Sequence, residues 1–273
     1  MHNPGPREID TPRMQRILQI SDTHLGREPG PIRPGYPDSD RQLARVLEAL
    51  ARDEPRPDLL WLTGDLAEDP APDAYTRLLG LLDRHMPDWA VAGLAGNHDD
   101  WSALNRAFTA AGHALDGHRV LGEWILVGIN SAVSGQAAGR IVPAELERLD
   151  QVLTAHPAYW AVIAVHHPVV PIESVWMDRI GLTNPDDLFA VLDRHPRVRA
   201  CLFGHIHQDF RGERRGVELL GCPSTCVQFA PGAERFALDT EHPGYRVLEL
   251  QPDGQLDTRI QRVPGQHPAE AGA

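Results

Sequence analysis

Two histidines stand one residue apart at the end of an apolar run. The run covers residues 198–203, stops at Gly204, and is followed by His205 and His207. Imidazole is a common metal ligand in proteins and a proton donor or acceptor near neutral pH. Two imidazoles at the end of one predicted strand therefore indicate a metal site or an acid–base site.

The same pattern occurs at four other places along the chain. Apolar runs end in "SDTH" at 21–24, "TGD" at 63–65, "AGNHDD" at 95–100 and "HH" at 166–167. In open α/β sheets, ligands bind beyond the carboxyl ends of the strands, so these clusters are expected to converge. Their candidate functional residues are Asp22, His24, Asp65, Asn97, His98, His166, His167, His205 and His207.

The types of these side chains indicate which metals they would bind. Neutral imidazoles, carboxylates and one amide suit manganese, iron and zinc, whereas a thiolate-rich set would indicate other metals. The set is larger than one tetrahedral ion needs, which predicts two ions sharing a carboxylate, roughly 3.5–4 Å apart. Glycines precede the cluster residue at three strand ends, Gly64, Gly96 and Gly204. They predict tight turns that bring backbone close to the site.

The elements that would position these residues alternate between apolar runs and amphipathic stretches, which is typical of α/β proteins. Strands are predicted at 16–20, 58–63, 89–95, 123–130, 159–165 and 198–203. Helices are predicted at 39–53, with Ser39 as N-cap, and at 73–85, 102–112, 143–156 and 184–195. The runs at 217–222, 245–250 and 256–263 are predicted to be antiparallel strands. Without a repeat or a long linker, we predict one domain over 1–264, with flexible tails at 1–14 and 265–273.

Charge and composition exclude several classes of function. The 273 residues carry a formal net charge of -12, which argues against a basic face that binds long nucleic acids. All 26 basic residues are arginine. The absence of lysine excludes Schiff-base chemistry and the phosphate-binding lysine of a P-loop. A small anionic substrate remains compatible with the charge if bound metal supplies positive charge.

The sequence also gives expectations about location and partners. No apolar run reaches membrane-spanning length, and the first residues lack the apolar core of a secretory signal. Three scattered cysteines, Cys201, Cys222 and Cys226, suit core packing in a reducing compartment. We expect a cytoplasmic protein that binds a small molecule, contacts neither nucleic acid nor membrane, and is a monomer or homodimer.

The ordered clusters resemble the five motifs of the calcineurin-like metallophosphoesterase superfamily. The matching motifs are Asp22-x-His24, Gly64-Asp65, Gly96-Asn97-His98-Asp99, His166 and Gly204-His205-x-His207. The similarity is greatest to the bacterial class III 3′,5′-cyclic AMP phosphodiesterases. It is carried by segments that include "ILQISDTHLG", "LTGDLAED", "GHIHQ", "PSTCVQFAPG" and "FALDTEHPGYRVLEL", and it extends from about Arg16 to Leu250.

The resemblance implies a four-layer αββα sandwich of mixed sheets, with ligands at strand carboxyl ends. It also implies two ions (iron, manganese or zinc) and a bridging hydroxide that attacks the phosphorus of cyclic AMP. The implied ligands are Asp22, His24 and His207 for the first ion, Asn97, His166 and His205 for the second, and Asp65 for both. The implied proton donor to the leaving group is His98, which Asp99 could orient. Asn97, His98 and His207 would bind substrate.

Some alternatives stay open at this stage. The ligand after the strand at 159–165 is assigned to His166, with His167 as the alternative. The segment Trp176–Asn184 is either a lid over the nucleoside or a packing patch. The substrate could instead be a glycerophosphodiester, a nucleotide pyrophosphate or a phosphomonoester, since the same ligands serve all of these. A non-catalytic metal-binding scaffold is the alternative from another class.

Overall fold

The computed structural model describes residues 13–267, which form two six-stranded sheets and a short hairpin. The strands are β1 Gln15–Ile20, β2 Leu59–Thr63, β3 Val91–Leu94, β4 Ala114–Leu115, β5 Gly117–Leu121, β6 Trp124–Ile129, β7 Trp160–Val165, β8 Val198–Phe203, β9 Phe210–Arg214, β10 Val217–Gly221, β11 Gln228–Phe229, β12 Leu238–Asp239, β13 Gly244–Leu250 and β14 Leu256–Arg262. The first sheet has the order β14-β13-β1-β2-β3-β4 and the second β5-β6-β7-β8-β10-β9. Both sheets contain parallel and antiparallel pairs.

Six helices cover the outer faces of the two sheets. They are α1 Ser39–Asp53, α2 Pro72–His85, α3 Trp101–Ala110, α4 Pro143–Ala155, α5 Val175–Asp178 and α6 Pro185–Leu192. Residues of α1, α2 and α3 form one apolar cluster with the first sheet, and residues of α4, α5 and α6 form another with the second. A third cluster lies between the sheets.

The alternation of side chains along each strand produces these layers. On β1, Ile17 points into the cluster between the sheets, whereas Leu18 and Ile20 pack against the helices. Each sheet is thus buried on both faces, as near-continuous apolar strands require. The predicted four-layer sandwich of mixed sheets is confirmed.

The predicted strands and helices of the first 203 residues are present, with ends displaced by a few residues. The antiparallel strand predicted at 217–222 is β10, which pairs antiparallel with β9, but its parallel pairing with β8 was not predicted. The N-cap of α1 is Asp38 instead of Ser39, because its carboxylate accepts from the Arg41 amide at 3.0 Å. The short strands β4, β5, β9, β11 and β12 were not predicted.

Most of the predicted tail residues, 1–12 and 268–273, lie outside the described part of the chain. Within it, Gln266 is fixed against α1: its amide donates to the Gln42 side chain at 3.1 Å, and its carbonyl accepts from that side chain at 2.9 Å. The chain is therefore anchored slightly beyond the predicted domain end at 264. The three cysteines are buried and free. Over residues 13–267, no helix combines the length and hydropathy needed to cross a membrane.

Candidate metal centre

The carboxyl ends of the parallel strands bring all five polar clusters to one edge of the sandwich. β1, β2 and β3 are mutually parallel in the first sheet, and β7 and β8 are parallel in the second. The clusters from the first sheet therefore face those from the second. All nine residues singled out in the sequence lie at this edge, each in contact with another of the set.

The backbone is left-handed at five of the candidate residues. The φ angles are 54° at Asp22, 44° at His24, 49° at Asp65, 67° at His205 and 50° at His207. Residues other than glycine adopt this conformation at a cost of about 1–2 kcal/mol each. Such residues concentrate at functional sites, where the surrounding structure holds them. The turns therefore aim these side chains inward at an energetic cost.

Two of the predicted glycines allow the clusters to approach each other. A Cβ atom on Gly96 would collide with the Asp65 carboxylate, and one on Gly204 would collide with the Ser21 hydroxyl. Any larger residue at either position would push a candidate ligand out of place.

The first group consists of Asp22, His24 and His207. His24 Nε2 lies 3.1 Å from His207 Nε2, which is itself 3.3 Å from Asp22 Oδ1. His24 Nδ1 donates to Glu68 at 2.8 Å, and His207 Nδ1 donates to the Val227 carbonyl at 2.8 Å. Because each Nδ1 already donates, the two Nε2 atoms can share only a cation, either an added proton or a metal ion. Burial lowers the pKa of His24, but the hydrogen bond to Glu68 and the nearby Asp65 carboxylate outweigh it and raise the pKa, so this part of the site favours positive charge.

The second group contains His166, Asn97 and His205. His166 Nδ1 donates to the Thr63 carbonyl at 2.9 Å, and its Nε2 lies 3.2 Å from Asn97 Oδ1. The rings of His166 and His205 are 5.2 Å apart. His205 Nε2 is buried and has no hydrogen-bond partner among residues 13–267. In a cluster of imidazoles, a buried nitrogen without a hydrogen-bond partner indicates a ligand site.

Asp65 lies between the two groups. Its Oδ2 is 3.3 Å from His166 Nε2 and 3.9 Å from His24 Nε2, while Oδ1 accepts the His98 amide at 2.8 Å. Burial raises the pKa of Asp65, but the attraction of His166, with lesser contributions from His98 and His24, outweighs it and holds the pKa well below its usual range. The carboxylate is thus kept anionic in a position to contact two cations.

The two neighbouring histidines have different environments. His166 Nε2 faces the cluster, whereas His167 Nδ1 accepts from the Ser131 hydroxyl at 2.7 Å and Nε2 donates to the Ala137 carbonyl at 3.1 Å. Burial lowers the pKa of His167 to about 3, so its ring is neutral. Proximity alone would group His167 with His166 and His205. His167 thus uses both nitrogens on Ser131 and Ala137, outside the cluster, whereas the Nε2 atom of His166 points to Asn97 and Asp65 within it.

His98 is oriented by a different partner from the one expected. Its Nδ1 donates to the Glu68 carbonyl at 2.8 Å, and its ring lines a cavity beside the cluster. The expectation that Asp99 orients His98 is wrong. The Asp99 carboxylate instead accepts from the amides of Gly96 and Leu66 and from the Tyr75 hydroxyl. Asp99 therefore shapes the turns that carry Asp65 and Asn97.

Glu68 is a site residue that the sequence analysis did not identify. Its carboxylate binds His24 Nδ1 and Arg33 Nη2, both at 2.8 Å. Burial raises the pKa of Glu68, but the hydrogen bond and charge of His24, the hydrogen bond of Arg33 and the charge of His98 outweigh it and lower the pKa to about 2. The available signal was its place in "LTGDLAED", three residues after Asp65. A carboxylate that accepts from a ligand histidine fixes the ring and increases its basicity.

The segment Trp176–Asn184 is packed against the body of the protein. The Trp176 ring contacts Phe229 and Phe236 edge-on, at centroid distances of 5.1 and 5.3 Å. The Asn184 side chain accepts from the Ile141 amide and donates to the Ile141 carbonyl. The segment is therefore held beside Phe229 and Phe236 at one end and beside Ile141 at the other.

The donor set fits two metal ions on the chemistry of its residues. Within the described residues, four groups of side chains have ligand atoms within 4.8 Å of one another: Asp22/His24/His207, His24/Asp65/His98, Asp22/Asp65/His166 and His166/His167/His205. Imidazole nitrogens and carboxylate oxygens in this proportion suit zinc, iron and manganese. The facing Nε2 atoms and the orphaned His205 nitrogen are the features that a cation would satisfy.

Known proteins resemble this chain over most of its length. A phosphodiesterase from Pseudomonas aeruginosa, the 3′,5′-cyclic adenosine monophosphate phosphodiesterase CpdA, is 40% identical over 250 residues, 90% of this chain and 89% of the relative. A 3′,5′-cyclic-nucleotide phosphodiesterase from a Nostoc species is 38% identical over 93% of this chain and 94% of its own length. The CpdA protein of Escherichia coli K12 is 37% identical over 91% of this chain and 90% of its own length.

The fold has solved counterparts at lower sequence identity. The crystal structure of a dimetal phosphatase from Danio rerio superposes with a TM-score of 0.60 at 16% identity, covering 92% of this chain and 99% of that one. Residues 15–209 match the model of the family described as Calcineurin-like phosphoesterase. That span includes every residue of the candidate metal centre, and the chain belongs to the calcineurin-like phosphoesterase family.

Proposed function

We propose that this protein hydrolyses 3′,5′-cyclic AMP to 5′-AMP with two bound metal ions. The observation that carries the proposal is the convergence of buried imidazoles and carboxylates from both sheets, with His24 Nε2 and His207 Nε2 3.1 Å apart. The cyclic AMP substrate is supported by relatives of that name at 37–40% identity over about nine tenths of the chain.

The residues divide into three roles in this proposal. Asp22, His24 and His207 would hold the first ion, and Asn97, His166 and His205 the second. Asp65, whose Oδ2 lies near both groups, would contact both ions. Outside these sets, Glu68 would fix the His24 ring, and the backbone carbonyls of Thr63 and Val227 would fix His166 and His207.

When bound, the two ions would supply Lewis-acid chemistry: positive charge for the phosphate and acidification of a water molecule. In the hydrolysis, an oxygen from water bonds to phosphorus as the bond between phosphorus and the 3′ oxygen breaks. The leaving 3′ oxygen takes up a proton. His98 would donate it from Nε2 as an imidazolium: Nδ1 keeps its own proton on the Glu68 backbone carbonyl, and the proton released by the attacking water replaces the one lost from Nε2. Asn97, His98 and His207 would contact the phosphate.

A substrate panel with metal analysis tests the proposal. We expect purified protein to contain about two ions of iron, manganese or zinc per chain, and to hydrolyse cyclic AMP faster than bis(p-nitrophenyl) phosphate. His98→Ala should lose about 10²-fold or more of kcat with metal content retained, the usual contribution of general acid catalysis. Hydrolysis of bis(p-nitrophenyl) phosphate but not of cyclic AMP would overturn the proposed substrate, and full activity of His98→Ala would overturn the proposed role of His98.

We also propose that the protein is cytoplasmic, on the basis of the sequence expectation and because cyclic AMP is a substrate found inside cells.

A further inference from the structure

A cavity of about 150 Å³ adjoins the candidate metal centre. His24, His98 and His207 form the side of the cavity that it shares with the centre. The other sides come from two separate segments. Ile32, Arg33 and Tyr36 lie in the loop between β1 and α1, and Val227, Phe229 and Phe236 lie in and beside the β11–β12 hairpin. A ligand whose phosphate binds at the centre can place an organic substituent in this space.

One wall of the cavity is aromatic. The Phe229 ring is stacked on the His207 ring, with centroids 4.0 Å apart and planes inclined by 10°. Phe236 contacts Phe229 edge-on at 5.5 Å, and Trp176 supports both rings from outside the cavity. Phe236 is 52% exposed, although it is held by these contacts. A fixed aromatic ring with free surface at the edge of a cavity is a stacking platform for a planar ligand.

Another part of the lining offers a second ring and a free polar group. Tyr36 is half-buried, and its hydroxyl has no hydrogen-bond partner in the described chain. Arg33 lies 5.8 Å from the centre of the Tyr36 ring and donates to Glu68 at 2.8 Å. Because Glu68 neutralises the Arg33 charge, this side of the cavity lacks a spare cation for a second phosphate. The lining therefore suits an uncharged planar group.

We propose that this cavity binds the nucleobase of the substrate, a purine that contacts the Phe236 ring and the Tyr36 side chain. This rests on the proposed function, since the phosphate of the same molecule would lie at the metal centre. A volume near 150 Å³ accommodates a benzene-sized ring. The remainder of a bicyclic base projects past the exposed edge of Phe236.

Phe236→Ala tests the subsite by comparing two substrates of the holoenzyme. The first is cyclic AMP, and the second is methyl riboside 3′,5′-cyclic phosphate, which lacks a base. We expect Phe236→Ala to raise the KM for cyclic AMP about tenfold, as losing one base-stacking ring does, with kcat nearly unchanged. Activity on the base-free substrate should stay the same. Tyr36→Phe should raise the KM for cyclic AMP about threefold, the usual effect of one lost neutral hydrogen bond.

Val120→Ala is the matched control, since Val120 is a similarly exposed apolar residue (40%) on β5, and it should leave both substrates unaffected. Equal losses on both substrates in Phe236→Ala, or no change in the KM for cyclic AMP, would overturn the subsite. A measurement with adenosine separates this proposal from the proposed function. If the wild-type protein does not turn over cyclic AMP, the function fails, yet the subsite still predicts adenosine binding that Phe236→Ala weakens about tenfold. Wild-type protein that does not bind adenosine, or a variant that binds it equally well, would overturn the subsite.

Discussion

Asp65 at the candidate metal centre and Asp116 at the junction of β4 and β5 share a left-handed backbone, with φ of 49° and 54°. Their surroundings differ. Asp65 lies among His24, His98 and His166, and its pKa is held below the usual range because the attraction of the imidazoles outweighs burial. Asp116 accepts one hydrogen bond, from Trp101 Nε1 at 2.6 Å, and burial raises its pKa to about 6.

Asp65 and Asp116 are the same residue type in the same backbone conformation. The difference between them therefore shows that the neighbouring side chains determine whether a buried carboxylate can serve as a cation site. Around Asp65, the protein has arranged groups that stabilise the anion and would stabilise a metal contact. Around Asp116, the Oδ1 atom is buried without a partner in the described chain, so the anion lowers stability.

Replacing Asp65 should have the largest effect. Asp65→Asn keeps the shape but removes the charge proposed to contact both ions, so kcat/KM should fall about 10³-fold or more, as expected for several kcal/mol of lost metal catalysis. Metal content should fall below two ions per chain. Asp116→Asn is the same change in the same backbone conformation and should leave both quantities unaltered. Steady-state kinetics and elemental analysis measure them. A metal-replete, active Asp65→Asn would remove the distinction between the two aspartates.

The two histidines of the final motif should each affect one ion. His205→Ala and His207→Ala should each lower metal content toward one ion per chain, since the geometry places them in different groups. Activity should fall by more than about 10²-fold. Even the loss of a residue that only hydrogen-bonds a metal ligand lowers activity by about 10–100-fold, and loss of the ligand itself should cost more. His195→Ala is the control, a histidine that binds Asp150 at 2.7 Å away from the centre. If both variants keep two ions and full turnover, the two-group assignment is wrong.

Site residues that directly follow a strand could be predicted from the sequence, whereas contacts between distant segments could not. His205 and His207 could be placed because they directly follow an apolar strand and the fold brings strand ends together. Phe229 could not be placed, since its stacking on His207 depends on the path of a hairpin about twenty residues further along. His167 likewise differs from His166 only through Ser131 and Ala137, which belong to another loop.

Local ambiguities account for other differences. Asp38 and Ser39 are both capable N-caps, and only the observed hydrogen bond to Arg41 distinguishes them. The direction of β10 relative to β8 depends on the connection through β9, which a run of alternating charges did not reveal as a strand. The apolar pattern therefore determines layers and strand ends, whereas pairing partners and side-chain contacts between distant segments need the folded structure.

A Glu68→Ala variant tests whether the carboxylate that hydrogen-bonds the His24 ring affects metal affinity. Glu68→Ala should lower affinity for the ion at the His24 group by about 10–100-fold, the usual effect of removing a carboxylate behind a ligand imidazole. The control is Glu249→Ala, which removes a carboxylate paired with Arg16 at 2.6 Å on a sheet strand remote from the centre. Metal affinity by competition with a chelator is the readout. Equal affinities in the two variants would show that Glu68 serves the loop through Arg33 and not the metal.

Asp116→Asn should have the smallest effect, on stability alone. The carboxyl ionises near pH 3.8 when unfolded and near 6 in the folded protein, so ionisation opposes folding above pH 6. Two pKa units correspond to about 3 kcal/mol, and partial solvent access reduces the expected gain to about 1–2 kcal/mol. The variant should therefore exceed the wild type in unfolding free energy at pH 7.5, and the gain should shrink between pH 6 and 4 and vanish below 4.

Urea unfolding of the wild type and of Asp116→Asn at pH 4, 5 and 7.5 measures this gain. Both proteins have the same metal centre, so its pH dependence cancels when the two unfolding free energies are subtracted. Asp88→Asn is the matched control, because Asp88 is an exposed aspartate with φ 65° and the same substitution there should change stability by less than about 0.5 kcal/mol. A gain that does not depend on pH would mean that the amide stabilises the turn itself. In that case, burial of the Asp116 carboxylate would have no energetic cost, and the contrast between the two aspartates would rest on the histidines around Asp65 alone.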